Sequence, residues 1–244
     1  MEYWPRLQRL VARYPDVTAL QAQWRACCAT RDAIIQHQLP ATGLPRLGLA
    51  PTDWMFRPTS NARELRATSH LLTHFRWYIA YHYGVWAFIT ADLMDAWVHE
   101  FPHYRYLEVG AGNGLISFGL RQRHVPVICT DTLSWTRENA TGRAPWTKVE
   151  PLAASAALWR YGDQVDAVIM SWMPDKDPND AALLRQIRTY FPHLHIFCVG
   201  ERAGLTDSQL FWSLAHRTAD RRLLKLNRYH RQFDGVNDKI YLIS

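Results

Sequence analysis

Cysteine is scarce, and none of it sits in a committed spacing. Four cysteines occur in 244 residues. Cys27 and Cys28 are adjacent, which is no metal-ligand spacing, and Cys129 and Cys198 fall inside apolar, strand-like runs. A disulfide framework and a zinc site are therefore not expected, and a reducing, cytoplasmic compartment is the simplest setting. Long hydrophobic runs are missing too. The longest uncharged stretch, WYIAYHYGVWAFITA between Arg76 and Asp92, has fifteen residues, including a histidine and several tyrosines. A membrane-crossing helix needs about 20 mostly apolar residues, so this stretch reads as protein interior and no membrane association is expected. The opening MEYWPRLQRL lacks the basic-then-apolar order of a secretory leader. There is no internal repeat, no GxSxG elbow and no GxxxxGK[ST] loop. HLLTH (70–74) lacks the glutamate of HExxH, and HLH (193–195) is no better as a metal site.

What is present is an ordinary globular balance, 48% hydrophobic and 20% charged, with an unusual load of rings: eleven Trp, eleven Tyr and nine Phe. Most of these rings belong to a core, but aromatic walls also suit flat or cationic organic ligands. The net charge of +6 is compatible with an anionic partner such as nucleic acid. Its densest cluster, Arg217, Arg221, Arg222, Lys225, Arg228 and Arg231, reads first as a solvated face.

Two regions differ in pattern. Residues 1–103 read as helices broken by proline-rich turns, an N-terminal helical cap or lid. From 104 to 244 strands alternate with helices. Strands are expected at 105–109, 125–130, 147–149, 165–171, 194–199, 223–229 and 238–243, with helices near 114–123, 134–140, 152–161, 178–190 and 206–219. This predicts an α/β fold, a doubly wound, seven-stranded, mostly parallel sheet. The last two strands are joined by HRQFDGVN, too short for a crossover helix, so they are expected to form a terminal antiparallel hairpin.

The most informative stretch is YLEVGAGNGLISFGL (106–120). A strand-like run ends in Gly110, Gly112 and Gly114, and a helix-like run follows. Dinucleotide sites use G-x-G-x-x-G/A. Here Leu115 takes the last position, a poor match. Glu108 precedes the first glycine by two residues. A pyrophosphate at the turn would face that carboxylate and be repelled, whereas a ligand with an ammonium and no phosphate would be attracted. S-adenosylmethionine has that character, and its carboxylate can accept hydrogen bonds from the N–H groups of the turn around Ala111 and Asn113. Asp131, seventeen residues beyond Gly114, ends the second strand and can accept ribose hydroxyls, with Thr132 beside it.

On Glu108, Gly110, Gly112 and Gly114 with Asp131, the region from about Tyr104 to Ile243 resembles the class I S-adenosylmethionine-dependent methyltransferases. VDAVIMSWMP looks like that family's fourth motif, which implies that Ser171 and Trp172 lie beside the transferred methyl group. The third motif departs from the pattern, with Ala153 or Ala154 where many members carry an acidic residue. Leu152 and Ala153 are then the expected adenine contacts. The resemblance also implies a segment before the first strand that folds over the cofactor, with Tyr83 and Trp86 as its candidates.

Methyl transfer disperses the positive charge of a sulfonium, so a low-polarity aromatic pocket assists it, and positioning supplies much of the rate. A base is needed only if the acceptor must lose a proton. His82, Asp175 and Glu201 are the candidates for that role, and Asp175 or Glu201 could instead bind a cationic amine. The leading expectation is a methyltransferase acting on a small aromatic or nitrogenous acceptor. The alternatives are a nucleic-acid or protein methyltransferase, and a non-catalytic module that keeps only the cofactor site.

Overall fold

Strands that are apolar along their whole length are stable when both faces of their sheet are covered. The computed structural model describes residues 3–244; residues 1 and 2, the start of the expected cap, lie outside the described residues. Five helices come first: α1 (Tyr3–Ala12), α2 (Thr18–Ile35), α3 (Thr59–Thr73), α4 (Phe75–Tyr83) and α5 (Ala91–Glu100). Then follow β1 (Tyr106–Val109), α6 (Leu115–Arg121), β2 (Val127–Asp131), β3 (Glu150–Pro151), α7 (Ala154–Tyr161), β4 (Ala167–Ser171), α8 (Asn179–Tyr190), β5 (His195–Gly200), α9 (Gln209–Leu214), α10 (Arg221–Tyr229) and β6 (Lys239–Ile243). The sheet order is β3-β2-β1-β4-β5-β6. Neighbours from β3 through β5 pair in parallel, and β6 runs antiparallel to β5.

Alternate strand positions feed two cores. Tyr106, Ala167, Ile169, Phe197 and Val199 share one buried cluster with Leu7, Leu20, Leu72, Ile79 and Trp97 of the five N-terminal helices. Leu107, Val109, Val168, Met170 and Cys198 face the other way, against Ala157, Leu184 and Phe211 of α7, α8 and α9.

Six strands form among the described residues, not seven, and the terminal hairpin is absent. The expected strand at 223–229 is α10. Its apparent alternation (Leu224, Leu226) is misleading: Leu223 and Leu226, one turn apart, are the buried pair, while Leu224 is 68% exposed. Asp220 caps the helix by accepting the Arg222 N–H at 2.8 Å. The third strand is displaced to Glu150–Pro151, and just before it Arg121 Nη1 donates to the Lys148 carbonyl (2.9 Å). The helix expected at 134–140 is only a 3-10 turn, Ser134–Arg137, and α9 is shorter than the 206–219 expected. No helix among the described residues is long and apolar enough to cross a membrane.

Candidate functional site

β1 lies between β2 and β4, so the chain leaves the sheet in opposite directions at its carboxyl edge. That is the position at which doubly wound sheets open a crevice. The glycine turn fills it. Gly110, Gly112 and Gly114 have φ of 60°, 55° and 73°, the left-handed region that favours glycine. A Cβ on Gly110 would come within 2.7 Å of Met173 Sδ. The turn is braced from β2: Ala111 N–H donates to the Thr130 carbonyl (3.0 Å) and Gly112 N–H to Asp131 Oδ2 (2.8 Å).

Asn113 is the clamp of the site. It is buried, and its Nδ2 donates to the carbonyls of Tyr83 (2.9 Å) and Ala140 (3.3 Å). Its Oδ1 accepts from Gly142 N–H (2.6 Å) and its carbonyl from Trp146 N–H (2.8 Å). The Tyr83 carbonyl is free for this because α4 ends at Gly84 in the left-handed conformation, with Val85 N–H returning to the Ile79 carbonyl (3.3 Å). One side chain thus joins the end of α4, the glycine turn and the loop after β2.

Two buried carboxylates flank the turn. Glu108 Oε2 accepts from both the backbone N–H (2.9 Å) and the hydroxyl (2.5 Å) of Ser117. No donor among the described residues reaches its Oε1. Burial pushes this carboxyl up to about 7, against the pull of the Ser117 hydrogen bonds. Asp131 accepts Gly112 N–H on one oxygen and Leu133 N–H (2.6 Å) on the other. Each oxygen retains a lone pair for a ligand hydroxyl.

The crevice encloses a cavity of about 840 Å³, within the range of small-molecule and cofactor sites. Its far wall is aromatic. Trp86 is the hub, with ring centres 6.4 Å from Trp77, 5.4 Å from Tyr81 and 6.3 Å from Trp172. The Trp86 Nε1–H donates to Thr141 Oγ1 at 2.8 Å. Trp172 follows β4 at φ 51°, costly for a bulky residue and a frequent mark of a functional site. It is held there by its N–H to the Val199 carbonyl (2.9 Å) and its Nε1–H to Asp238 Oδ2 (3.1 Å). Behind it, the buried Arg76 pairs with Asp234 (2.6 Å) and Asp238 (3.3 Å). His230 Nε2 lies 3.2 Å from Asp238 without the alignment of a hydrogen bond. Burial opposes the Asp238 charge, yet His230 and Arg76 hold its carboxyl well below the usual range.

Of the residues singled out in the sequence, Trp86, Glu108, Gly110, Ala111, Gly112, Asn113, Asp131, Thr132, Ala153, Ser171, Trp172 and Asp175 all line this cavity. Four stand outside its lining. His82 is exposed and packs on the Tyr78 ring at 4.8 Å. The Tyr83 hydroxyl is 3.2 Å from that of Tyr78, and only its carbonyl serves the site. The Leu152 side chain packs into the second core while its N–H donates to the Asp131 carbonyl (3.0 Å). Glu201 accepts the N–H groups of Asn237 (2.7 Å) and Leu205 (3.0 Å) and so ties its own loop. Trp77, Tyr81, Trp135 and Thr141 line the cavity and were not anticipated. The signal was the i, i+4 spacing of Trp77 and Tyr81 on one helix, with Trp86 just past its glycine stop. Among the described residues, no group of three or more histidines, cysteines or acidic residues is placed to hold a metal ion.

Solved structures similar to this one include methyltransferases. One is the S-adenosylmethionine-dependent methyltransferase SibL in its apo form, at 13% identity and a TM-score of 0.36, over 99% of this chain and 74% of that one. A second is the plantazolicin methyltransferase BpumL in complex with SAH, at 12% and 0.38, over 88% and 96%. A third is a point variant of MtNAS, at 12% and 0.38, over 100% and 98%. No protein-family model matches the chain, and no curated protein matches it. What the crevice does is therefore read from its own residues.

Proposed function

We propose that this protein is an S-adenosylmethionine-dependent methyltransferase acting on a small aromatic or nitrogenous acceptor, with residues 1–103 as the cap that shapes the acceptor side. One observation carries the cofactor assignment. The glycine turn is flanked by two buried carboxylates, and among the described residues no lysine, arginine or histidine lines the cavity. A pyrophosphate at that turn would meet Asp131 and Glu108 with no cation in the cavity lining to offset them. A phosphate-free nucleoside bearing an ammonium meets an attractive partner instead.

The residues present fit that group. Glu108 offers a free carboxylate oxygen to an ammonium, and Asp131 offers lone pairs to ribose hydroxyls. Ala153, at the start of α7, supplies an apolar edge for the base. Bound there, S-adenosylmethionine supplies an electrophilic methyl on a sulfonium whose departure leaves a neutral thioether. The protein's part is positioning and exclusion of water: the turn fixes one reactant, and Trp86 and Trp172 present a low-polarity wall to the other. Asp175 is exposed at the cavity and can take a proton from an acceptor that must lose one. A polynucleotide acceptor is disfavoured, because its phosphates would approach a carboxylate-lined opening.

Calorimetry with S-adenosylmethionine, S-adenosylhomocysteine and NAD tests this reading. Binding of the first two and not of NAD is expected, with affinity lowered more than about tenfold by Asp131→Ala. Binding of NAD with S-adenosylmethionine inert would overturn it.

A further inference from the structure

The charge of the cavity runs against the charge of the chain. The protein carries +6 overall. Yet the ionisable side chains that line the cavity among the described residues, apart from Tyr81, are Glu108, Asp131, Glu138, Asp175 and Asp177, all acidic. An all-acidic lining on a basic chain attracts a cation; Lys176, between Asp175 and Asp177, is exposed and outside the lining. The first two face the glycine turn. The cofactor proposed above brings a single net positive charge, so the other three carboxylates have no counter-charge from it.

The rings lie at steep angles to one another. Trp77 and Tyr81 stand at 75° and 67° to Trp86, and Trp172 closes the group at 40°. All four rings line the cavity, and an aromatic wall of this kind offers π surface to an onium head group. Arg76, which stacks on Trp172 at 5.0 Å, does not satisfy the box: Asp234 and Asp238 already neutralise it. The loop carrying Asp175 and Asp177 follows directly on Trp172, so acidic rim and ring box adjoin along the chain.

We propose that the acceptor carries an amine that is cationic at neutral pH and is received by the wall of Trp77, Tyr81, Trp86 and Trp172 beside Asp175 and Asp177; where that nitrogen is the atom methylated, it first gives its proton to Asp175, and the freed lone pair forms the N–C bond as the S–C bond breaks. This rests on the methyltransferase reading and narrows its substrate class. It separates the site from one for neutral phenols or acidic acceptors, which would gain nothing from the rim.

The test uses the protein saturated with S-adenosylhomocysteine, so that no turnover occurs, and titrates it with choline and with its neutral isostere 3,3-dimethylbutanol. Choline is expected to bind at least about tenfold more tightly, a ratio that falls towards one in Tyr81→Leu and weakens with rising salt in the parent. Tyr81 is 57% exposed, and undiminished S-adenosylhomocysteine affinity in the variant shows that it folds. Equal binding of choline and the isostere, with S-adenosylhomocysteine bound, overturns the cationic acceptor and leaves the cofactor reading intact. Choline that binds only without cofactor and competes with S-adenosylmethionine assigns the box to the sulfonium and overturns it likewise. Failure of S-adenosylhomocysteine to bind removes the cofactor reading and the acceptor with it.

Discussion

The guanidinium of Arg76 lies 5.0 Å from the centre of the Trp172 ring, and Asp238 accepts hydrogen bonds from both residues. Arg76 belongs to α4, Trp172 follows β4, and Asp238 precedes β6. Three distant parts of the chain are therefore fixed against one another by a buried ion cluster at the back of the aromatic wall. Removing one partner of such a cluster strands the others without solvent. Arg76→Ala is expected to cost about 3–5 kcal/mol, read from urea unfolding midpoints. Asp238→Asn keeps an acceptor for the indole and leaves Asp234 with Arg76, so a smaller loss is expected. Equal losses in the two variants would mean that Asp234 alone does not hold Arg76.

Gly110→Ala is expected to weaken S-adenosylmethionine binding at least about tenfold and to cost about 1–2 kcal/mol of stability, because an alanine at φ 60° is strained and its Cβ meets Met173. Gly43→Ala is the control. Its Cβ would find its nearest atom at 3.5 Å, an ordinary contact, and a change within about 0.5 kcal/mol is expected. Calorimetry and thermal unfolding on the pair check the difference.

Asn113→Ala removes three hydrogen bonds and leaves the Tyr83 carbonyl and Gly142 N–H without their partner. A loss of about 1–3 kcal/mol is expected, with faster amide exchange at Gly142. Unchanged exchange there would remove Asn113 from its role as clamp.

Glu108 links ligand and pH. Its folded value of about 7 lies above that of an unfolded glutamic acid, so the folded protein holds this proton more tightly. The ligand-free protein is therefore expected to lose stability as pH rises from about 4.5 to about 7, on the order of 3 kcal/mol from this group. Asp207, pushed up to about 7 by burial, acts in the same direction. A ligand ammonium favours the charged carboxylate, so cofactor affinity should rise from pH 6 to about 7.5. Glu108→Gln should flatten that rise. A flat affinity profile in the parent would take Glu108 out of the cofactor site.

The glycine turn was legible because its chemistry is local. Positive φ, a preceding carboxylate and a following helix all fall within a few residues, and Glu108, Gly112 and Asp131 meet in space as their spacing implies. The edge of the sheet was not legible. In 223–229, Leu224 and Leu226 give the alternation of a strand while Leu223 and Leu226 give the spacing of a helix, and only packing decides between them. Likewise Glu201 and His82 carry side chains fit for chemistry, but where they point depends on contacts with Asn237 and Tyr78, far off in sequence or a turn away. The aromatic wall was divided between a helix that looked like core and a strand end, so its rings were counted without being assembled.

The N-terminal helices and one face of the sheet share a single interior, with Leu7 and Leu72 in the same cluster as Ile169 and Phe197. A segment anchored in this way has no hinge about which to swing, since opening it would bring the sheet's own apolar face into water. Traffic into the crevice then depends on side chains at its mouth, such as Tyr81 and Trp135, both well exposed. Small-angle scattering profiles of the free and ligand-bound protein should superimpose.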